Sequence, residues 1–152
     1  MTNIDPLQSM ASNVCVCRPD HQLEENIRQF RTRQEKAGQA SALVMKVDKE
    51  RQTIVLDELL ENLESLDELT DCLPDHQPRF IVYTCCLEHA DGRNSFPMVF
   101  IFFSPRDCKP ELQMMYAGSK LELVNKVQLQ HVFEVRELEE LTQEWLHAKL
   151  KK

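Results

Sequence analysis

Apolar positions change their spacing several times along the chain, and each change marks a predicted element. Leu23, Ile27 and Phe30 fall at i, i+4 and i+7 behind Asp20, a residue suited to cap a helix, and Gly38 supplies a stop. From 41 to 48 the pattern alternates, with Leu43, Met45 and Val47 on one face. Residues 53–57 follow after the polar turn DKERQ, so the two runs pair as a hairpin. The stretch SLDE at 65–68 is a capping box opening a short helix with Leu66, Leu69 and Leu73, which Pro74 ends. RFIVYTCCLE at 79–88 and FPMVFIFF at 96–103 flank the turn signal Asp91-Gly92 and form a second hairpin. The run 96–103 is apolar at nearly every position, as a central strand covered on both faces requires. Helices must therefore lie on both sides of the sheet.

Pro105 and Pro110 bracket a loop, and Pro110 is pre-set for the first position of a long helix over 110–127. A strand over 130–136 follows, then a last helix over 138–150 with Leu138, Leu141, Trp145 and Ala148 on one stripe. Strand, long helix, strand is the crossover that makes a parallel pair. The order predicts a mixed α/β (α+β) domain over 14–152, its sheet sandwiched between helices. Residues 1–13 are polar, contain Pro6 and show no period, so they read as a flexible arm.

The long helix raises a question of phase. At about 100° per residue, Met114, Ala117, Leu121 and Val124 fall together, with Leu112, Tyr116, Leu123 and Val127 extending the arc. These are assigned to the core. Met115 then lies opposite, among Glu111, Ser119, Glu122 and Lys126, beside the small residues Gly118 and Ser119. A flexible apolar side chain next to bare backbone is suited to docking another protein.

Composition narrows the function. At 152 residues the chain is long enough for one cored domain, and a formal net charge of −7 argues against nucleic acid as the main partner. No apolar run approaches the roughly 20 residues of a membrane span, and the first residues lack a signal-peptide pattern. The six cysteines are accordingly expected as reduced thiols. Enzyme chemistry finds thin support. Cys15-x-Cys17 with His21 lacks a second pair for zinc, and no spacing joins Cys108 to His76, His89 or His131 as nucleophile and base. Phosphate-binding, dinucleotide and serine-nucleophile motifs are absent. No enzyme activity, metal or cofactor is expected.

The segments CKPELQMMYAGSK, DELTDCLPDHQPRFIVY and DGRNSFPMVFIFFSP resemble the glia maturation factors, a branch of the actin-depolymerising factor homology family, in register from about Val14 onward. The resemblance implies a five- or six-stranded mixed sheet between helices and a binding protein with two surfaces. The first would comprise Cys17, Arg18, Lys109, Gln113, Met114, Met115, Gly118, Ser119 and Lys120. The second would draw on Arg31, Arg33, Lys36, Arg93, Glu139 and Glu140. Cofilins share the MYAxSK pattern but carry two lysines where this chain has Glu111 and Gln113. Losing two cations, each worth about 1 kcal/mol against an acidic partner, disfavours ordinary actin. The resemblance therefore implies binding to the actin-related protein two/three complex, inhibition of branch nucleation and debranching, with actin at branch junctions as a further contact. Cofilin-like binding or severing of ordinary actin is the alternative. The expected setting is a monomer in the cytoplasm at the actin-rich cortex, with the nucleus as a second location.

Overall fold

The computed structural model describes residues 17–36, 39–129 and 131–150, so the arm at 1–13, Cys15 and Gly38 lie outside the described residues. The strands are β1 (Arg18–Pro19), β2 (Ala40–Asp48), β3 (Thr53–Leu63), β4 (Arg79–Cys85), β5 (Leu87–Glu88), β6 (Asn94–Ser95), β7 (Met98–Phe103) and β8 (His131–Val135). The helices are α1 (His21–Phe30), α2 (Leu66–Thr70), α3 (Pro110–Val127) and α4 (Gln143–Leu150), with a 3-10 turn at Leu138–Glu140. Six strands form one sheet in the order β1-β3-β2-β4-β7-β8, and β5 and β6 make a separate ribbon.

Both predicted hairpins are present as antiparallel pairs, β2 with β3 and β4 with β7. The crossover through α3 lays β8 parallel to β7, from Val99 opposite His131 to Phe103 opposite Val135. Because side chains alternate across a strand, the central strands feed two cores. Leu43, Met45, Phe80, Phe100 and Phe102 pack under α1 and α3, while Ala42, Val44, Ile81, Tyr83 and Ile101 pack under α2 and α4. Phe80 stacks on Phe102 at 5.2 Å and meets Tyr116 at 5.3 Å, tying α3 to the sheet centre.

Several boundaries differ from the sequence reading. Asp20 caps α1 as expected, its carboxylate accepting from the Leu23 N–H at 2.7 Å. The helix stops at Phe30, well before Gly38, because the chain turns inward so that Glu35 can accept from the Ser41 hydroxyl at 2.8 Å. The capping box expected at 65–68 does not form: the Ser65 side chain makes no cap bond, and Glu68 accepts instead from the N–H of Glu64, one residue before the cap, at 3.1 Å. The predicted last helix is two pieces. Leu141 leaves helical geometry with ψ 79°, and Thr142 starts a new helix by accepting from the Trp145 N–H at 3.0 Å. The break changes the buried face, so Leu146 is buried and Ala148 exposed.

The register fixes two ends of the sheet. One carries the start of β2, the ends of β3 and β4 and the β5–β6 ribbon; the other carries the turn from Asp48 to Thr53, Arg79 and Phe103. Gly92 tips the ribbon at φ +90°, a conformation side chains disfavour.

Candidate functional site

The long helix buries Leu112, Tyr116, Leu123, Val124 and Val127 as its wheel predicts, wholly or in part, but not Met114, Ala117 and Leu121. Tyr116, Ser119, Leu123 and Val127 are its buried residues, and Leu112, Met115 and Val124 pack half-buried against the same core. The expectation that Met115 points into solvent is therefore corrected: its side chain is part of the packing between α3 and the sheet. Met114, assigned to the core, is 53% exposed, and Leu121 is 69% exposed. Ala117, between them, is exposed as well. Met114, Ala117 and Leu121 stand at i, i+3 and i+7, an apolar stripe about 10 Å long facing away from the domain.

Two bonds hold this face still. The Tyr116 hydroxyl accepts from the Val47 N–H at 2.9 Å, and burial raises the phenol pKa although the Val47 bond opposes the shift. Ser119 is fully buried, so it is not available as a direct contact. Its hydroxyl donates to the Met115 carbonyl at 2.9 Å and accepts from the Cys17 N–H at 2.8 Å.

The other residues assigned to the first surface fall around the stripe with different roles. Cys17 is buried, whereas Arg18 is exposed on β1 with its Nε 3.5 Å from Glu122. Lys109 is exposed at the entry of α3. Gln113 donates to Ser104 Oγ at 3.4 Å and so leans toward the sheet. Gly118 is half-buried. Lys120 sits 5.8 Å over the Phe102 ring and 3.9 Å from Glu134. Sequence reasoning missed Ala117 and Leu121 as surface residues. Their signal is the second apolar stripe, which one sheet face has no room to bury.

The second proposed surface divides in space. Arg93 is exposed in the ribbon turn, its Nε 2.7 Å from Asp91, whose carboxyl is held below its ordinary pKa by the Arg93 N–H and guanidinium. Arg31 and Lys36 are exposed, and Arg31 shares a shallow groove with Arg28 and Lys126. Arg33, assigned to the second surface, is held in ion pairs within the domain. It lies 3.0 Å from Glu35 and 2.9 Å from Glu61, and although burial opposes its charge the two carboxylates raise its pKa. These cations gather near the sheet end where β2 starts. Glu139 lies at the opposite end, lining a cleft with Arg106, Asp107 and Arg136, and the exposed Glu140 follows it in the 3-10 turn. The six residues therefore do not form one continuous patch.

No spacing along the chain joins Cys108 to a histidine, yet His76 and Cys108 line one cleft with Asp107 and Lys49. His76 Nδ1 is 3.2 Å from Asp107, while burial and Asp107 push the Cys108 thiol pKa up. A thiol held protonated is a poor nucleophile. Among the described residues no group of three or more His, Cys, Asp or Glu side chains is placed to hold a metal ion, and no helix is long and apolar enough to cross a membrane.

Comparison with known proteins agrees with this architecture. Residues 16–151 match the family described as Cofilin/tropomyosin-type actin-binding protein. Glia maturation factor beta of Homo sapiens is 52% identical over 93% of this chain and 97% of that protein. Glia maturation factor of Drosophila melanogaster is 50% identical over 90% of this chain and 96% of that protein. The solution structure of glia maturation factor from Caenorhabditis elegans superposes with a TM-score of 0.74 at 34% identity, covering 89% of this chain and 96% of that one. Streptomyces griseoflavus cofilin, at 19% identity and a TM-score of 0.75 over 90% and 97% of the two chains, shares the fold.

Proposed function

This chain belongs to the cofilin/tropomyosin-type actin-binding proteins, in their glia maturation factor branch, and from that premise we propose that it regulates branched actin by binding the actin-related protein two/three complex. The observation that carries the reading is the exposed stripe of Met114, Ala117 and Leu121 on α3. A flexible thioether and a branched aliphatic chain separated by a small residue suit insertion into an apolar cleft. The stripe would enter the cleft of an actin-related subunit, with Arg18 and Lys109 nearby as exposed cations. Occupying that cleft inhibits nucleation without covalent chemistry.

Debranching needs a second contact, and the cations Arg31, Lys36 and Arg93 near the start of β2 supply one for the first actin of the daughter filament. Binding the altered junction better than the intact one shifts the population toward release. Glu139 and Glu140 are left out of this contact because Glu139 lines a cleft at the far end of the sheet. The protein works in the cytoplasm at the actin-rich cortex, as a monomer.

Co-sedimentation with pure actin filaments, run beside binding to the purified complex, tests the assignment. Binding to the complex with weak binding to bare filaments supports it; strong binding to bare filaments alone selects the cofilin-like alternative. Arg93→Ala should reduce debranching more than nucleation inhibition, and equal loss in both assays would contradict two separate surfaces.

A further inference from the structure

We infer that Ser119 is a positioning residue for the docking face: its buried hydroxyl anchors β1 so that Arg18 stands beside the Met114–Leu121 stripe, ready for an acidic group of the partner. The inference rests on the function proposed above and adds to it the residue that sets the charge at one flank of the stripe.

A serine inside a helix commonly donates to the carbonyl four residues back, and Ser119 does so to Met115 at 2.9 Å. The same oxygen also accepts from the Cys17 N–H at 2.8 Å, across 102 positions of sequence. The serine is fully buried, so a partner cannot touch it. β1 itself is only two residues long, pairing Arg18 with Thr53 and Pro19 with Ile54, a short ladder for holding a surface arginine. Ser119 joins that ladder to α3 from the other side. Three residues along the helix, Glu122 lies 3.5 Å from Arg18 Nε, yet the arginine side chain keeps 79% of its exposure. A guanidinium steered by one carboxylate and still wet has donors left for a second carboxylate.

Binding of the purified actin-related protein two/three complex, measured for the full-length chain and its Ser119→Ala, Arg18→Ala and doubly substituted forms, decides the matter. Each single substitution should weaken binding about fivefold to tenfold, and the double substitution no more than the worse single one, because both remove one contact. The losses should shrink in high salt. Amide exchange at Cys17 should quicken in Ser119→Ala while the circular dichroism spectrum stays unchanged. Fully multiplicative losses, or normal binding by Ser119→Ala despite quickened Cys17 exchange, would overturn the inference. An unsubstituted chain that does not bind the complex overturns the parent function, and this inference with it, before any variant is compared.

Discussion

Exchanging two neighbouring methionines for alanine should give opposite results, and the difference follows from where α3 puts them. Complete burial of a Leu or Met side chain contributes about 1.5–3 kcal/mol. Leu121 keeps 69% of its surface exposed and Met114 keeps 53%, so a partner that covers both gains about 2–3 kcal/mol from them together. Met114→Ala with Leu121→Ala should then weaken binding to the actin-related protein two/three complex by about 30- to 150-fold. Neither side chain packs in the core, so denaturant stability should change by less than about 0.5 kcal/mol. Met115 packs half-buried beside Tyr116 and Leu123. Met115→Ala should cost about 1–2 kcal/mol of stability, lowering the melting temperature by about 2–8 °C, with binding per folded molecule changed less than about threefold. Urea denaturation and equilibrium binding on the same preparations measure both quantities. Loss of binding by Met115→Ala at unchanged stability, with binding intact in the Met114 and Leu121 substitutions, would place the docking face on the other side of α3.

Tyr116→Phe removes the acceptor for the buried Val47 N–H and should cost about 1–3 kcal/mol in urea denaturation; a cost under about 0.5 kcal/mol would mean that the bond contributes little. Burial raises the Cys85 thiol to about 11 from an ordinary 9.0, with the neighbouring Cys86 a further cause, and burial also raises the Tyr83 phenol. The folded state therefore keeps protons that the unfolded chain releases, so stability is intact below pH 9 and falls as pH rises from there toward 11. Denaturation midpoints across that range check the sign, and a rising midpoint would contradict it. Alkylation of the native protein at pH 8 should modify exposed Cys72 well before buried Cys85, and the order read by mass spectrometry tests the burial directly.

Period and turn chemistry made most of the fold legible. The Asp20 cap, the β2–β3 and β4–β7 hairpins and the parallel β8 all follow from local signals that agree with tertiary packing. The face of α3 was not legible, because it carries apolar residues on two stripes. A helical wheel has no means of telling a stripe that packs on a sheet from one that stays exposed. The buried stripe even includes Ser119, whose polarity suggested solvent, while the exposed one includes Leu121. Tyr116, Leu123 and Val127 are the bulkier set and were the better guide to the core. The break at Leu141 was hidden for a different reason: the apolar spacing runs on through it, and only Thr142 signals a new start. Arg33 looked available because Glu61, which neutralises it, lies far along the sequence on β3.

The two bonds that fix α3, from Val47 to Tyr116 and from Cys17 to Ser119, carry a kinetic consequence. A face already locked by folding loses little freedom when it docks, so association should proceed as a single rigid-body step, without a slow rearrangement following encounter. If the stripe docks as proposed, discrimination among partners falls to how long each complex persists, set by the fit around Leu121 and Met114.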